Sequence, residues 1–292
     1  LKETYKYLPA QLAQKLQSAC IEPRRPMAGM RQSQHHSDSL GASVEFAEYR
    51  DYYPGDPVTR IDWAVYARTD RLMIRQAYKE VNARCMVMLD ISRSMNYQHG
   101  GPMSKLDYAK YLAAGMMFAM VKQGDSAGLI TFDQLIRDRL EPVDSAVGLK
   151  PALKHLESTE TGKSGDIETA LHGLEGTIKN KSFVVLISDM LQDPSRILRG
   201  LHHLRHNGMD VTIFHVLDPS ELTLPMKGLT ELTDMESEKK MKINLDEIRD
   251  RYVKEVNSHI ERLQKSCLNM QMDYHFSDTR TPVHQLILRR SS

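Results

Sequence analysis

Residues 84–95 read RCMVMLDISRSM. An apolar run stops at Asp90, after which Ser92 and Ser94 alternate with Ile91 and Arg93. A short continuous apolar run bounded by polar residues is the pattern of a strand buried on both faces. Such strands belong to parallel sheets, because each crossover helix must cover a sheet face. SFVVLISDM, at 182–190, repeats the pattern and ends at Asp189. DVTIFHVL (210–217) and AGLITF (127–132) are further strands, and LIRDRL (135–140) reads as the hairpin partner of the latter. Helical apolar spacing lies between them, at 104–121, about 145–158, 166–180 and 194–206. Strands alternating with helices predict a doubly wound, mostly parallel, Rossmann-like α/β sheet.

Working outward, Leu8, Leu12 and Leu16 predict an N-terminal helix within 1–26, closed by Pro23 and Pro26. Residues 27–82 read as an accessory loop and short strands packing on the core, around a turn at Pro54 and Gly55. The core is expected over 83–220 and a C-terminal extension completing the domain over 221–292. That extension reads as short strands LTELTD and MKINL, a helix over 245–267, a strand QMDYHF and a last helix at 281–289. Leu245, Ile248, Tyr252, Val256, Ile260 and Leu263 recur at three- and four-residue steps, the stripe of a helix lying on a sheet.

Composition narrows the function classes. The chain has 292 residues, 41% of them apolar, enough for a sizeable core. Lys and Arg number 39 against 38 Asp and Glu, so no field of one sign favours nucleic acid. Three scattered cysteines fit neither a disulfide framework nor a thiolate metal site. No apolar run approaches the roughly 20 residues of a membrane span. A cytoplasmic protein is the expectation.

Ligands of open α/β sheets gather beyond the carboxyl ends of the strands. Asp90, Ser92 and Ser94 sit at one such end and project alternately from an extended segment, while Asp189 sits at another. Carboxylates with neutral hydroxyls suit a hard cation that keeps some of its waters, such as Mg²⁺, with Mn²⁺ a possible substitute. The bland alternative is that these residues cap the following turn, since Asp-x-Ser-x-Ser alone is a short pattern. Asp133, after AGLITF, has the same two readings. His202 and His206 share a helix face, but the Glu that a zinc protease needs at 203 is a histidine. Phosphate loops, nucleophile elbows and Cys-x-x-Cys pairs are all missing from the sequence.

LDISRSM resembles the metal-ion-dependent adhesion site of von Willebrand factor A-type domains. The preceding segment, EFAEYRDYYPGDPVTRIDWAVYARTDRLMIRQAYKE (45–80), resembles a bacterial domain of unknown function, family fifty-eight, by its spacing of YR, PGD, R-IDW and ART. The likeness runs over about 29–288. It implies a von Willebrand A core, a Mg²⁺ site formed by Asp90, Ser92, Ser94 and Asp189, and a protein that binds and does not catalyse. It also implies a protein partner, a MoxR-type AAA+ ATPase or its client, in assembly or remodelling. The family's threonine is replaced by Gly165, leaving Ser164, Asp166 or water for that place. Two other readings stay open: a Mg²⁺-dependent phosphohydrolase using the same crevice, for which Ser92 stands where an aspartate acid–base is wanted, and a scaffold with a vestigial site.

Overall fold

The computed structural model describes residues 5–21, 46–77, 83–174, 182–233 and 240–290. Along the chain the strands of the main sheet are β3 (Arg84–Asp90), β4 (Ser126–Phe132), β5 (Ile136–Val143), β6 (Phe183–Ser188), β7 (Asp210–Leu217) and β10 (Asp273–Asp278). They lie in the order β10-β7-β6-β3-β4-β5, parallel throughout except for the β4–β5 pair. This is the expected doubly wound sheet. The strands read as apolar runs are its middle, buried along almost their whole length. Each fully buried Leu, Ile, Val or Phe there contributes roughly 1.5–3 kcal/mol of transfer free energy. β5 is one of the two edge strands, exposed at Arg137, Asp138 and Arg139, and Pro142 is tolerated there. Gly128 is needed where β5 crosses, because a Cβ would stand 2.6 Å from the Leu140 carbonyl oxygen.

The helices are α3 (Lys105–Lys122), α4 (Lys150–Ser158), α5 (Ile167–His172), α6 (Pro194–His206), α7 (Pro219–Thr223), α8 (Leu245–Asn269) and α9 (Val283–Arg290). α3 begins at Ser104, whose hydroxyl accepts from the Asp107 amide at 3.1 Å. It is buried on nearly all sides, and Met116, Met117 and Met120 are core residues. Gly115 lets it approach α9: a Cβ would lie 2.7 Å from Ile287 Cδ1.

Two local expectations change. The N-terminal helix is only Ala10–Lys15, starting after Pro9. Beyond it the chain is held on α3 by side chains, with Gln123 bonding both the amide and the carbonyl of Ile21 at 2.8 Å. The α8 stripe is buried only at Leu245 and Leu263, while Ile248, Tyr252, Val256 and Ile260 are half-covered. Strands β8 (Leu229–Thr233) and β9 (Lys240–Asn244) form their own antiparallel pair and do not extend the main sheet.

Arg24–Asn82 forms a separate compact unit. β1 (Phe46–Asp51) and β2 (Met73–Ala77) pair antiparallel, but α2 (Trp63–Thr69) lies between them where only strands were expected. Asp62 caps α2, accepting from Ala64 and Val65 amides at 3.0 and 3.1 Å and from the Tyr49 hydroxyl at 2.8 Å. Arg50 grips Asp56 through both terminal nitrogens, at 2.7 and 2.6 Å. Mixed charges here satisfy one another, while Trp63 stands 58% exposed. Of the accessory segment read over 27–82, residues 27–45 and 78–82 lie outside the described residues.

Candidate metal centre

β3 and β6 are neighbours in register, Leu89 opposite Ile187, so their carboxyl ends emerge side by side. That register brings Asp90 beside Ser188 and Asp189. The Ser188 hydroxyl donates to Asp90 Oδ2 at 2.6 Å, and the Ser92 amide donates to Asp90 Oδ1 at 2.8 Å. Ser92 Oγ lies 3.2 Å from Ser94 Oγ, and Ser94 hydrogen-bonds Asp189. The four residues singled out in the sequence thus converge. Asp90, Ser92 and Asp189 are buried and Ser94 is half-buried.

A loop from the other side of β3 closes the crevice. The Gly162 amide donates to the Ile91 carbonyl at 2.6 Å and the Arg93 amide to the Lys163 carbonyl at 3.0 Å. Asp133, at the end of β4, holds this loop by accepting from the Lys163 amide at 2.8 Å and from Arg137 Nε at 2.8 Å. Asp133 thus performs the turn role, tying the loop to the strand that follows. His202 and His206 are exposed on α6.

The electrostatics are set by burial. Burial first, and the nearby Asp189 carboxylate second, push the Asp90 carboxyl up to about 7 against the hydrogen bonds from Ser188 and Ser92. Burial also opposes ionisation of Asp189, but the Lys105 ammonium outweighs it and holds that carboxyl below the usual range. Lys105 Nζ lies 2.8 Å from Asp189 Oδ2 and 2.7 Å from Glu221 Oε1. Sequence reasoning missed Lys105, Glu221 and Ser188. One signal was available for Lys105: a lysine in the first turn of a helix opposes the helix dipole.

Two carboxylates and two hydroxyls gathered at the adjoining ends of β3 and β6 are a donor set that fits a hard divalent cation. Among the described residues no group of three or more His, Cys, Asp or Glu is placed to hold a metal, so hydroxyls must supply part of any shell. Position 165, where the resemblance implies a threonine, is filled differently. A Cβ on Gly165 would stand 3.1 Å from Ser92 Cβ and 2.8 Å from Gln192 Nε2, so position 165 does face the crevice and the Gln192 amide occupies its space. Gln192 is anchored by accepting from the Ile167 amide at 3.0 Å. Ser164 receives a hydrogen bond from Gln134, and Asp166 caps α5 through the Thr169 amide at 3.1 Å and pairs with Arg196 at 2.7 Å. Both sequence candidates for the missing oxygen are therefore engaged elsewhere.

A mostly parallel six-stranded sheet with helices on its faces defines the class: a doubly wound, Rossmann-like α/β domain. The chain belongs to the family described as protein of unknown function DUF58, whose pattern matches residues 48–262. It is 28% identical over 268 residues, 88% of this chain and 82% of the relative, to the uncharacterized protein Rv1480 of Mycobacterium tuberculosis. Among solved structures it is similar to an aerotolerance-related membrane protein from Bacteroides fragilis, with TM-score 0.51 and 18% identity over 72% of this chain and 98% of that one. The SpRpn10 VWA domain gives TM-score 0.44 and 11% identity over 71% of this chain and 94% of that one. The cytoplasmic placement expected from the sequence is corrected by the likeness to the Bacteroides fragilis protein. A neighbour of this fold is a membrane protein, so the want of an apolar span does not assign a compartment. Among the described residues no helix is long and apolar enough to cross a membrane.

Proposed function

We propose that this protein is a metal-dependent protein–protein interaction module that binds and does not catalyse. Asp90, Ser92, Ser94 and Asp189 would hold Mg²⁺, or Mn²⁺ in its place. Bound there, the cation supplies an open position and a positive charge to a carboxylate of a partner protein. The observation that carries this reading is the meeting of the four side chains at the adjoining ends of β3 and β6, with the two serine oxygens 3.2 Å apart.

The chain's own residues do the rest. Asp90 and Asp189 provide charge, Ser188 and the Ser92 amide orient Asp90, and burial keeps competing water from the carboxylates. A charge-assisted contact made in such a crevice is stronger than one at an open surface. Half-buried Arg93, between the two serines, would contribute to specificity. The partner we propose is a MoxR-type AAA+ ATPase or its client, in protein assembly or remodelling.

Calorimetric titration of wild type and Asp90→Ala with Mg²⁺ and Mn²⁺ tests the metal. Heat of binding is expected from the wild type and not from Asp90→Ala, and binding of equal strength by both proteins overturns the reading. Affinity purification with the same pair tests the partner: an ATPase recovered with wild type and lost with Asp90→Ala is expected, and equal recovery removes the metal from recognition.

A further inference from the structure

We infer that Lys105 is a built-in counter-cation of the crevice, and that Glu221 is the reserve carboxylate which lets Lys105 yield the charge of Asp189 to an entering divalent cation. This rests on the reading of the Asp90 crevice as a cation site and names how that site is regulated.

Lys105 has no solvent exposure, so its ammonium needs compensating partners. It has two carboxylates of different character. Asp189 also takes a hydrogen bond from Ser94 and belongs to the crevice. Glu221 does not: its Oε2 is fixed by the Asp218 amide at 2.8 Å, leaving Oε1 for Lys105 at 2.7 Å. The Tyr97 ring, its centroid 5.8 Å from Nζ, forms a third wall. The ammonium is thus held whether or not Asp189 attends to it.

The arrangement has a consequence for affinity. While Lys105 neutralises Asp189, an entering cation meets one carboxylate already compensated and feels repulsion from the ammonium. A carboxylate arriving from a partner restores the missing negative charge. Cation and partner therefore favour each other's binding, and by linkage the effect is reciprocal. A site built this way holds its cation weakly alone and firmly in the complex.

Opposite signs in two variants separate this from a merely structural role. Lys105→Met removes the competing charge, and Mn²⁺ should bind at least tenfold more tightly. Glu221→Gln removes the reserve partner, confines Lys105 to Asp189, and should weaken Mn²⁺ binding at least fivefold. The measurement is Mn²⁺ titration of the full chain, followed by calorimetry and by electron paramagnetic resonance of free Mn²⁺, with circular dichroism to confirm folding. If Lys105→Met does not fold, the double variant Lys105→Met with Glu221→Gln removes one charge of each sign and should still bind more tightly than wild type. Wild-type binding with both variants unshifted, or shifted the same way, overturns the inference and leaves the metal site standing. Absence of binding in every variant overturns both. Binding by Lys105→Met but not by wild type supports both.

Discussion

Ser188 and Asp90 meet across neighbouring strands, the Ser188 hydroxyl donating to Asp90 Oδ2 at 2.6 Å with both side chains buried. The same hydroxyl accepts from the Met190 amide at 3.1 Å. Met190 has φ +51°, a left-handed conformation costly for a side-chain-bearing residue, immediately after Asp189. Its carbonyl is bonded by His259 Nε2 at 2.8 Å. Ser188 therefore fixes both carboxylates, one directly and one through the turn. Ser188→Ala should cost about 2 kcal/mol, the scale of leaving a buried polar partner unsatisfied. Urea denaturation monitored by circular dichroism measures it, and a loss below about 0.5 kcal/mol would show the bond to be dispensable.

Asp218 performs a parallel task at the end of β7. It accepts from the amides of His99, Gly100 and Gly101 at 3.2, 2.8 and 3.1 Å, and from the Ser220 amide and hydroxyl at 2.8 and 2.6 Å. Burial works against its ionisation, but these bonds outweigh it and hold the carboxyl down at about 2. A folded value below the unfolded one means stability that is complete above the unfolded value of 3.8 and lost as pH falls through about 2. Asp218→Asn should flatten the pH dependence of the melting temperature between those limits. Parallel melting curves for the two proteins across that window would sink the assignment.

Asp133 ties the closing loop to the sheet without reaching the crevice itself. Besides Lys163 and Arg137 it accepts from the Leu135 amide at 3.1 Å, so its removal orphans several donors at once. Asp133→Ala should destabilise the protein by about 1.5–3 kcal/mol, the range for hydrogen bonds to a charged group. Amide exchange in residues 161–166 should accelerate ahead of the rest of the core, because local opening follows the loss of local bonds. Uniform acceleration throughout the sheet would contradict this local role.

These anchors explain what could be seen beforehand. The four central strands were legible because an apolar run buried on both faces needs no partner information, and Asp90 and Asp189 mark the ends where it stops. α2 was not, since Trp63, Val65 and Tyr66 favour strands intrinsically and it was the Asp62 cap that made the helix. The half-covered face of α8 was illegible for the opposite reason: periodicity reports which residues share a face, not how much of it is covered. Lys105 escaped because its partners, Asp189 and Glu221, lie far along the chain and only the sheet order brings them together.

Gly165 and Gln192 are the same problem in its sharpest form. The resemblance implied a threonine where Gly165 stands but not the glutamine filling the space. A threonine at 165 would place its Cβ 2.8 Å from Gln192 Nε2, the far end of a flexible side chain, and 3.1 Å from Ser92 Cβ. Gly165→Thr alone must displace Gln192, which costs the bond that Gln192 Oε1 accepts from the Ile167 amide at the start of α5. The single variant should therefore lose about 1 kcal/mol, near the net worth of one hydrogen bond. Adding Gln192→Ala opens the space, and the threonine hydroxyl then adds an oxygen donor beside Ser92. Divalent-cation affinity should rise in the double variant by about tenfold, or 1.4 kcal/mol. Calorimetry on the wild type, both single variants and the double variant checks it. If Gln192→Ala alone gives the whole gain, the glutamine was obstructing the crevice and the threonine position contributes nothing.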